Sequence, residues 1–150
     1  MEKKLSVVVS VYNEEQALPM FYETTKLILE ILPWDYELLF VNDGSRDDSL
    51  SILREYAARD ERVRFCNLKE NLGIAENTNK AFAMAKGEFL GLLDHDDLLA
   101  PNALYEIVQT LQTHPEADAV YTDEDKVTTE LDEHFQPLLK PDFNLDLLRS

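Results

Sequence analysis

Cysteine is nearly absent from this chain. Cys66 is the only one in 150 residues, so no disulfide can close within it. That suits a reducing compartment. Positive charge is also scarce: 14 Lys and Arg stand against 30 Asp and Glu, a formal net charge of −16. A groove tracking nucleic-acid phosphates, or a patch for an anionic membrane, needs the opposite sign. An acidic chain can still bind an anion, with local help from a divalent cation or a helix N-terminus. Long hydrophobic runs are missing too, and none approaches the roughly 20 apolar residues of a membrane span. The run Leu5 to Val11 follows Lys3 and Lys4 but leads straight into Asn13, Glu14 and Glu15. It has no small-residue cleavage site of a secretory leader. The expectation is a cytoplasmic chain with no transmembrane segment, or one peripheral to the inner face of the membrane within a longer protein.

Several chemical signatures are missing as well. There is no G-x-G-x-x-G after the first apolar run, which disfavours a nicotinamide-binding Rossmann domain. There is no G-x-x-x-x-G-K-[ST] phosphate loop and no G-x-S-x-G elbow. His95, His114 and His134 lack zinc-ligand spacing. Cys66 has no neighbouring His to act as its base and reads as a small buried strand residue.

What is present is a core. Hydrophobic residues make up 45% of the chain, enough for one folded domain. Leu5 to Val11 is short and β-branched, which predicts a buried strand. Apolar positions at Leu18, Phe21, Thr25, Ile28, Ile31 and Leu32 predict a helix over 15–32, stopped by Pro33. A strand follows at Tyr36 to Val41. Ser45 and Asp48 have capping-box spacing for a helix running to about Arg59, with Leu50, Leu53 and Tyr56 on one face. Further strands are predicted at 63–68, 88–93 and 119–122. The helices between them are predicted at 74–86, capped by Gly87, and from Pro101 to about His114. This alternation predicts an α/β fold with a mostly parallel sheet and helices on both faces. Residues 1–127 form the expected core. Residues 128–150 form an arm or the start of an acceptor-side region. Phe135, Leu138, Leu139 and Phe143 there offer an apolar surface for self-association.

Parallel sheets gather ligands at the carboxyl ends of their strands, and the polar residues fall there. The first strand ends at Ser10, Val11, Tyr12, Asn13 and Glu14; the second at Asp43. The fourth ends at Asp94, His95, Asp96 and Asp97, and the fifth at Asp123, Glu124 and Asp125. Packed carboxylates repel one another unless a cation neutralises them, and Mn²⁺ or Mg²⁺ prefers such oxygens. If residues 94–96 are extended, Asp94 and Asp96 share a face while His95 points elsewhere. Each residue also has a plainer reading. Asp43 shapes a turn, Asn71 and Gly73 shape a loop, Glu14 favours a helix start, and Asp97 lies near another. Asp123 and Asp125 line the site or close a strand.

With those residues in view, four segments resemble the family 2 inverting glycosyltransferases of GT-A fold. They are Ser6-Val-Val-Val-Ser-Val-Tyr-Asn-Glu-Glu15, Val41-Asn-Asp-Gly-Ser-Arg-Asp47, Asn71-Leu-Gly-Ile-Ala-Glu-Asn-Thr-Asn79 and Gly87-Glu-Phe-Leu-Gly-Leu-Leu-Asp-His-Asp-Asp97. The resemblance implies that Ser10, Val11, Tyr12, Asn13 and Glu14 contact the base and ribose of a nucleoside-diphosphate sugar. It implies that Asp43 holds the base and that Asn71, Gly73 and Asn79 flank the nucleotide. It makes Asp94-His95-Asp96 the D-x-D motif, with Asp94 and His95 at the nucleotide and Asp94 and Asp96 at the metal. UDP or dTDP is the nucleotide toward which it leans. The implied acceptor is a glycan or lipid-linked, because the first half resembles polyprenyl-phosphate transferases and the second half polysaccharide transferases. The sequence departs from the family at Ser10, usually Pro, and at Asn42, often Asp. The family's catalytic base lies well downstream of the D-x-D, so Asp123 and Asp125 are only candidates for it. A nucleotide-binding module without catalysis and a nucleotidyltransferase are the alternative readings, the latter disfavoured by the lack of a triphosphate-gripping loop.

Overall fold

Four of the five apolar runs become strands, and the helical patterns become helices. A computed structural model of the chain describes residues 3–146. It comprises two units, 1–106 and 107–150. In order, the first holds β1 (Lys4–Val11), α1 (Leu18–Leu29), β2 (Asp35–Asn42), α2 (Ser49–Arg59), β3 (Val63–Asn67), α3 (Ile74–Met84) and β4 (Phe89–Leu92). The boundary falls within α4 (Ala103–Thr113).

The four strands form one parallel sheet in the order β3-β2-β1-β4. Alternate side chains of β2 pack against different layers. Phe40 meets Phe21 of α1 edge-on at 6.2 Å, and Tyr22 of α1 stacks on Tyr56 of α2 at 4.2 Å. Leu39 and Val41 instead join Val8, Leu68 and Ala81 of α3. Period-two alternation therefore puts α1 and α2 on one face and α3 on the other. Leu38, Leu39, Phe40 and Val41 are all buried, each contributing roughly 1.5–3 kcal/mol by burial.

One charged group interrupts this core. Glu37 is buried near the amino end of the sheet. Its Oε1 accepts from Ser6 Oγ at 2.7 Å and from the Lys86 amide at 2.7 Å, and its Oε2 accepts from Arg64 Nη1 at 2.9 Å. Arg64 also donates to the Met84 carbonyl, so the network ties the end of α3 to β1, β2 and β3. Burial pushes the Glu37 carboxyl up, but the bonds from Ser6, Lys86 and Arg64 outweigh it and hold the group below its ordinary value. Nearby, hydrogen bonds from Arg62 pull Asp60 down to about 2.

The structure moves several predicted boundaries. α1 begins at Leu18 rather than at 15, with Pro19 in its first turn. Ile31 lies beyond that helix and is exposed, while Tyr22 and Leu29 take the buried positions. Gly87 does not cap α3, which ends at Met84 with Ala85 extended. Gly87 is instead a point of close approach. Its amide donates to Ser6 Oγ, and a Cβ there would lie 2.7 Å from the Lys4 carbonyl. Ser45 does not cap α2, which begins at Ser49 after Asp48; its hydroxyl instead accepts from the Asn13 amide.

The predicted strand at 119–122 is also absent. These residues are exposed and pair with no strand. The second unit instead contains β5 (Glu124–Val127) paired antiparallel with β6 (His134–Leu138). A short segment pairs where a partner lies in register, and the partner here is local. Tyr121 Oη donates to the Pro141 carbonyl at 2.6 Å, and the Lys140 amide donates to Asp123 at 2.8 Å. Phe135, Leu138, Leu139 and Phe143 are exposed, and residues 147–150 of the expected arm lie outside the described residues. Among the described residues, no helix is long and apolar enough to cross a membrane.

Replacing Glu37 by Ala strands the Arg64 guanidinium and should cost about 3 kcal/mol in urea unfolding at neutral pH. The sign for Asp60 follows from its lowered value. Its stabilisation is present above the unfolded carboxyl value near 3.8 and is lost as pH falls through about 2. Asp60→Asn should therefore remove that part of the acid dependence, read by thermal melts between these limits.

Candidate functional site

Parallel pairing decides which loops meet. Val11 and Asn42 are in register at the ends of β1 and β2, and β4 stops beside Val8 at Leu92. The loops after these three strands thus leave from one edge of the sheet.

The first two loops are stitched by reciprocal bonds. The Asn13 amide donates to Ser45 Oγ at 2.9 Å, and the Arg46 amide donates back to Asn13 Oδ1 at 2.9 Å. The Glu14 amide donates to Ser49 Oγ at 2.8 Å. The Glu15 amide donates to Asp47 at 3.0 Å, and the Asp48 amide donates back to Glu15 at 2.9 Å. Asn13 sits at φ 58°, a conformation Asn tolerates better than most residues. Burial raises the Asp47 carboxyl, but the Ser49 hydroxyl and the amides of Glu15 and Ser49 outweigh this and lower it overall. The sequence marks Ser45 only as a helix cap and gives Asp47, Ser49 and Glu15 no site role. The signal available was their type, since Ser and Asp side chains capture nearby backbone groups.

Asp43 lies at the end of β2 and is only 4% exposed. Its amide donates to the Val11 carbonyl at 2.8 Å, and its Oδ1 accepts from the Leu72 amide at 2.9 Å. Asn71 accepts from the Gly73 amide, and Gly73 immediately precedes α3. Asp43 therefore brings the 71–73 loop to the sheet edge. Gly44 makes the turn possible. It sits at φ 76°, and a Cβ there would lie 2.9 Å from the Glu70 backbone.

The third loop carries the acids. The expected alternation of Asp94 and Asp96 along a strand does not occur, because β4 has ended at Leu92. The Leu93 amide makes the last bond to β1, at the Val8 carbonyl, and the Asp97 amide turns back to the Asp94 carbonyl at 3.2 Å. Asp94 and Asp96 thus project from a turn, and both are exposed. His95 is half-buried between them and faces the Ser10 carbonyl and Glu14. Its ring also lines an open cleft of about 340 Å³ with Gln16, Ala17, Met20, Phe21, Asp96 and Leu98.

Of the remaining expected residues, Tyr12 is exposed at the same edge, and the Val11 side chain belongs to the core. Asn79 is exposed on α3. Asp123 and Asp125 lie in the second unit, where Asp125 faces His134 Nδ1 at 3.0 Å. Among the described residues, no group of three or more His, Cys, Asp or Glu side chains has metal-holding geometry. Two exposed carboxylates on one turn still fit Mg²⁺ or Mn²⁺, which take one or two carboxylates and fill the remaining positions with phosphate oxygens and water.

Residues 6–144 match the family model described as Glycosyl transferase family 2. The chain belongs to that family. It is 42% identical over 148 residues to the uncharacterised protein y4gI of Sinorhizobium fredii, covering 96% of this chain and 16% of that protein. It is 39% identical over 117 residues to the O-antigen biosynthesis protein RfbC of Myxococcus xanthus, covering 77% of this chain and 9% of that one. It therefore spans a small part of these relatives. Among solved structures, S. aureus TarS 1-349 in complex with UDP-GlcNAc superposes with a TM-score of 0.65 at 28% identity, over 75% of this chain and 32% of that one. The glycosyl transferase sheet described above is thus a GT-A fold.

Gly44→Ala should strain this edge twice, through its backbone angle and through the Glu70 contact. The expected loss is about 1–3 kcal/mol, measured by thermal unfolding.

Proposed function

We propose that this domain binds a nucleoside-diphosphate sugar at the shared sheet edge and serves inverting sugar transfer to a glycan or lipid-linked acceptor. The observation that carries the reading is the meeting of three motif loops at one edge within a family 2 glycosyltransferase domain. The UDP-GlcNAc complex of the TarS neighbour supports a nucleotide-sugar donor, and the name of RfbC supports a polysaccharide acceptor.

Each group then has a task. Asp43 is held by the Leu72 amide through Oδ1 and offers its second oxygen to a base N–H. Tyr12 and the backbone of residues 10–14 form the floor beneath base and ribose, and Asn71, Gly73 and Asn79 bound the other side. Asp94 meets the ribose and, with Asp96, holds Mn²⁺ or Mg²⁺. When bound, such an ion neutralises the charge that develops on a departing diphosphate. Inverting transfer also needs a base on the acceptor hydroxyl. We assign that role to neither Asp123 nor Asp125, because both serve contacts within the second unit.

Calorimetric titration of UDP, with and without Mn²⁺, tests the donor site. Binding should require the metal, and Asp96→Ala should weaken it by at least about 10-fold. Equal affinity in both proteins, or no binding of UDP, dTDP or GDP by folded wild type, would overturn the reading.

A further inference from the structure

The middle residue of the acidic turn faces an acceptor at each ring nitrogen, and a neutral ring donates to one of them. His95 Nδ1 lies 3.3 Å from the Ser10 carbonyl, and Nε2 lies 2.9 Å from Glu14 Oε1. Both acceptors belong to the end of β1 and the residues just after it, whereas His95 belongs to the turn after β4. The parallel ladder between these strands makes its last bond at the Leu93 amide. Two residues further on, the His95 side chain continues the linkage. The two side chains are 24% and 27% exposed, so the contact is partly shielded from water.

The turn needs such a linkage. Asp94, Asp96 and Asp97 crowd like charges onto four residues, and repulsion favours their spreading. An ion held by a short turn binds tightly only when its carboxylates are already in place. Glu14 is itself fixed from behind, since its amide is bonded to Ser49 of α2. The chain of contacts runs from α2 through Glu14 and His95 to the acidic turn.

We propose that His95 and Glu14 form a strut that holds the acidic turn against β1, making both of them positioning residues for Asp94 and Asp96. This rests on the donor-binding reading above. It assigns them a role other than contact with the nucleotide. The strut uses the tautomer in which Nε2–H donates to the Glu14 carboxylate, the shorter of the two contacts, so an acceptor oxygen rather than its charge is the property required of Glu14.

The test is a double-mutant cycle on UDP affinity in the presence of Mn²⁺. His95→Ala and Glu14→Ala should each weaken binding by about 10-fold, and the double variant should lose little more than either single one. Glu14→Gln keeps an acceptor oxygen facing the ring and should stay within about threefold of wild type. His95→Gln keeps an N–H toward Glu14 and should recover most of the loss. A Glu14 that touches the donor or its metal through charge would lose as much in Glu14→Gln as in Glu14→Ala, and that result overturns the strut. Additive losses in the cycle overturn it as well. If an alanine variant fails to fold by circular dichroism, the two glutamine variants decide on the same criterion. Wild type that binds UDP while the cycle is additive removes the strut alone, whereas folded wild type that binds no nucleotide removes both readings.

Discussion

β1 is hydrogen-bonded on both edges and covered on both faces, and this double confinement organises the chain. Its neighbours β2 and β4 run parallel to it in fixed register. Val7, Val8, Val9 and Val11 are buried, so the strand has no face that tolerates a one-residue slip. Parallel pairing then sends the loops after β1, β2 and β4 out of one edge. The site exists because three loops distant in sequence start from neighbouring strands.

Polar groups are used differently at the two ends of that sheet. At the amino end, Glu37 is surrounded by donors from Ser6, Lys86 and Arg64 and serves the fold. At the carboxyl end, several acids are committed to backbone amides: Asp43 to Leu72, Asp47 to Glu15, and Glu15 to Asp48. Asp94 and Asp96 remain exposed on their turn. The acids that shape this edge are satisfied by backbone amides, while those of the turn stay open to solvent.

The second unit follows another logic. Its two strands pair locally and antiparallel, with Lys140 bridging to Asp123 and Glu124. Its acids are used for holding a hairpin. Their sequence signature, a cluster after a short apolar run, is the same as that of the acidic turn after β4. Only their partners distinguish the two clusters.

The sequence by itself determined the four parallel strands, the helices between them and the polar character of the strand ends. These follow from period-two and period-3.6 patterns and from residues that favour turns, all of which are local properties. The family could be read from four motifs in order, three of them running to strand ends and one, Asn71–Asn79, running from a loop into α3. Local patterns could not tell that 119–122 stays unpaired while 124–127 pairs, since a short segment takes whichever neighbour the chain brings to it. Nor could they show that Ser45 spends its hydroxyl on Asn13 rather than on its own helix, or that His95 meets Glu14 across 81 positions. Those contacts depend on which strands become neighbours. Tertiary structure alone decided that, through the burial of β1 between its two partners.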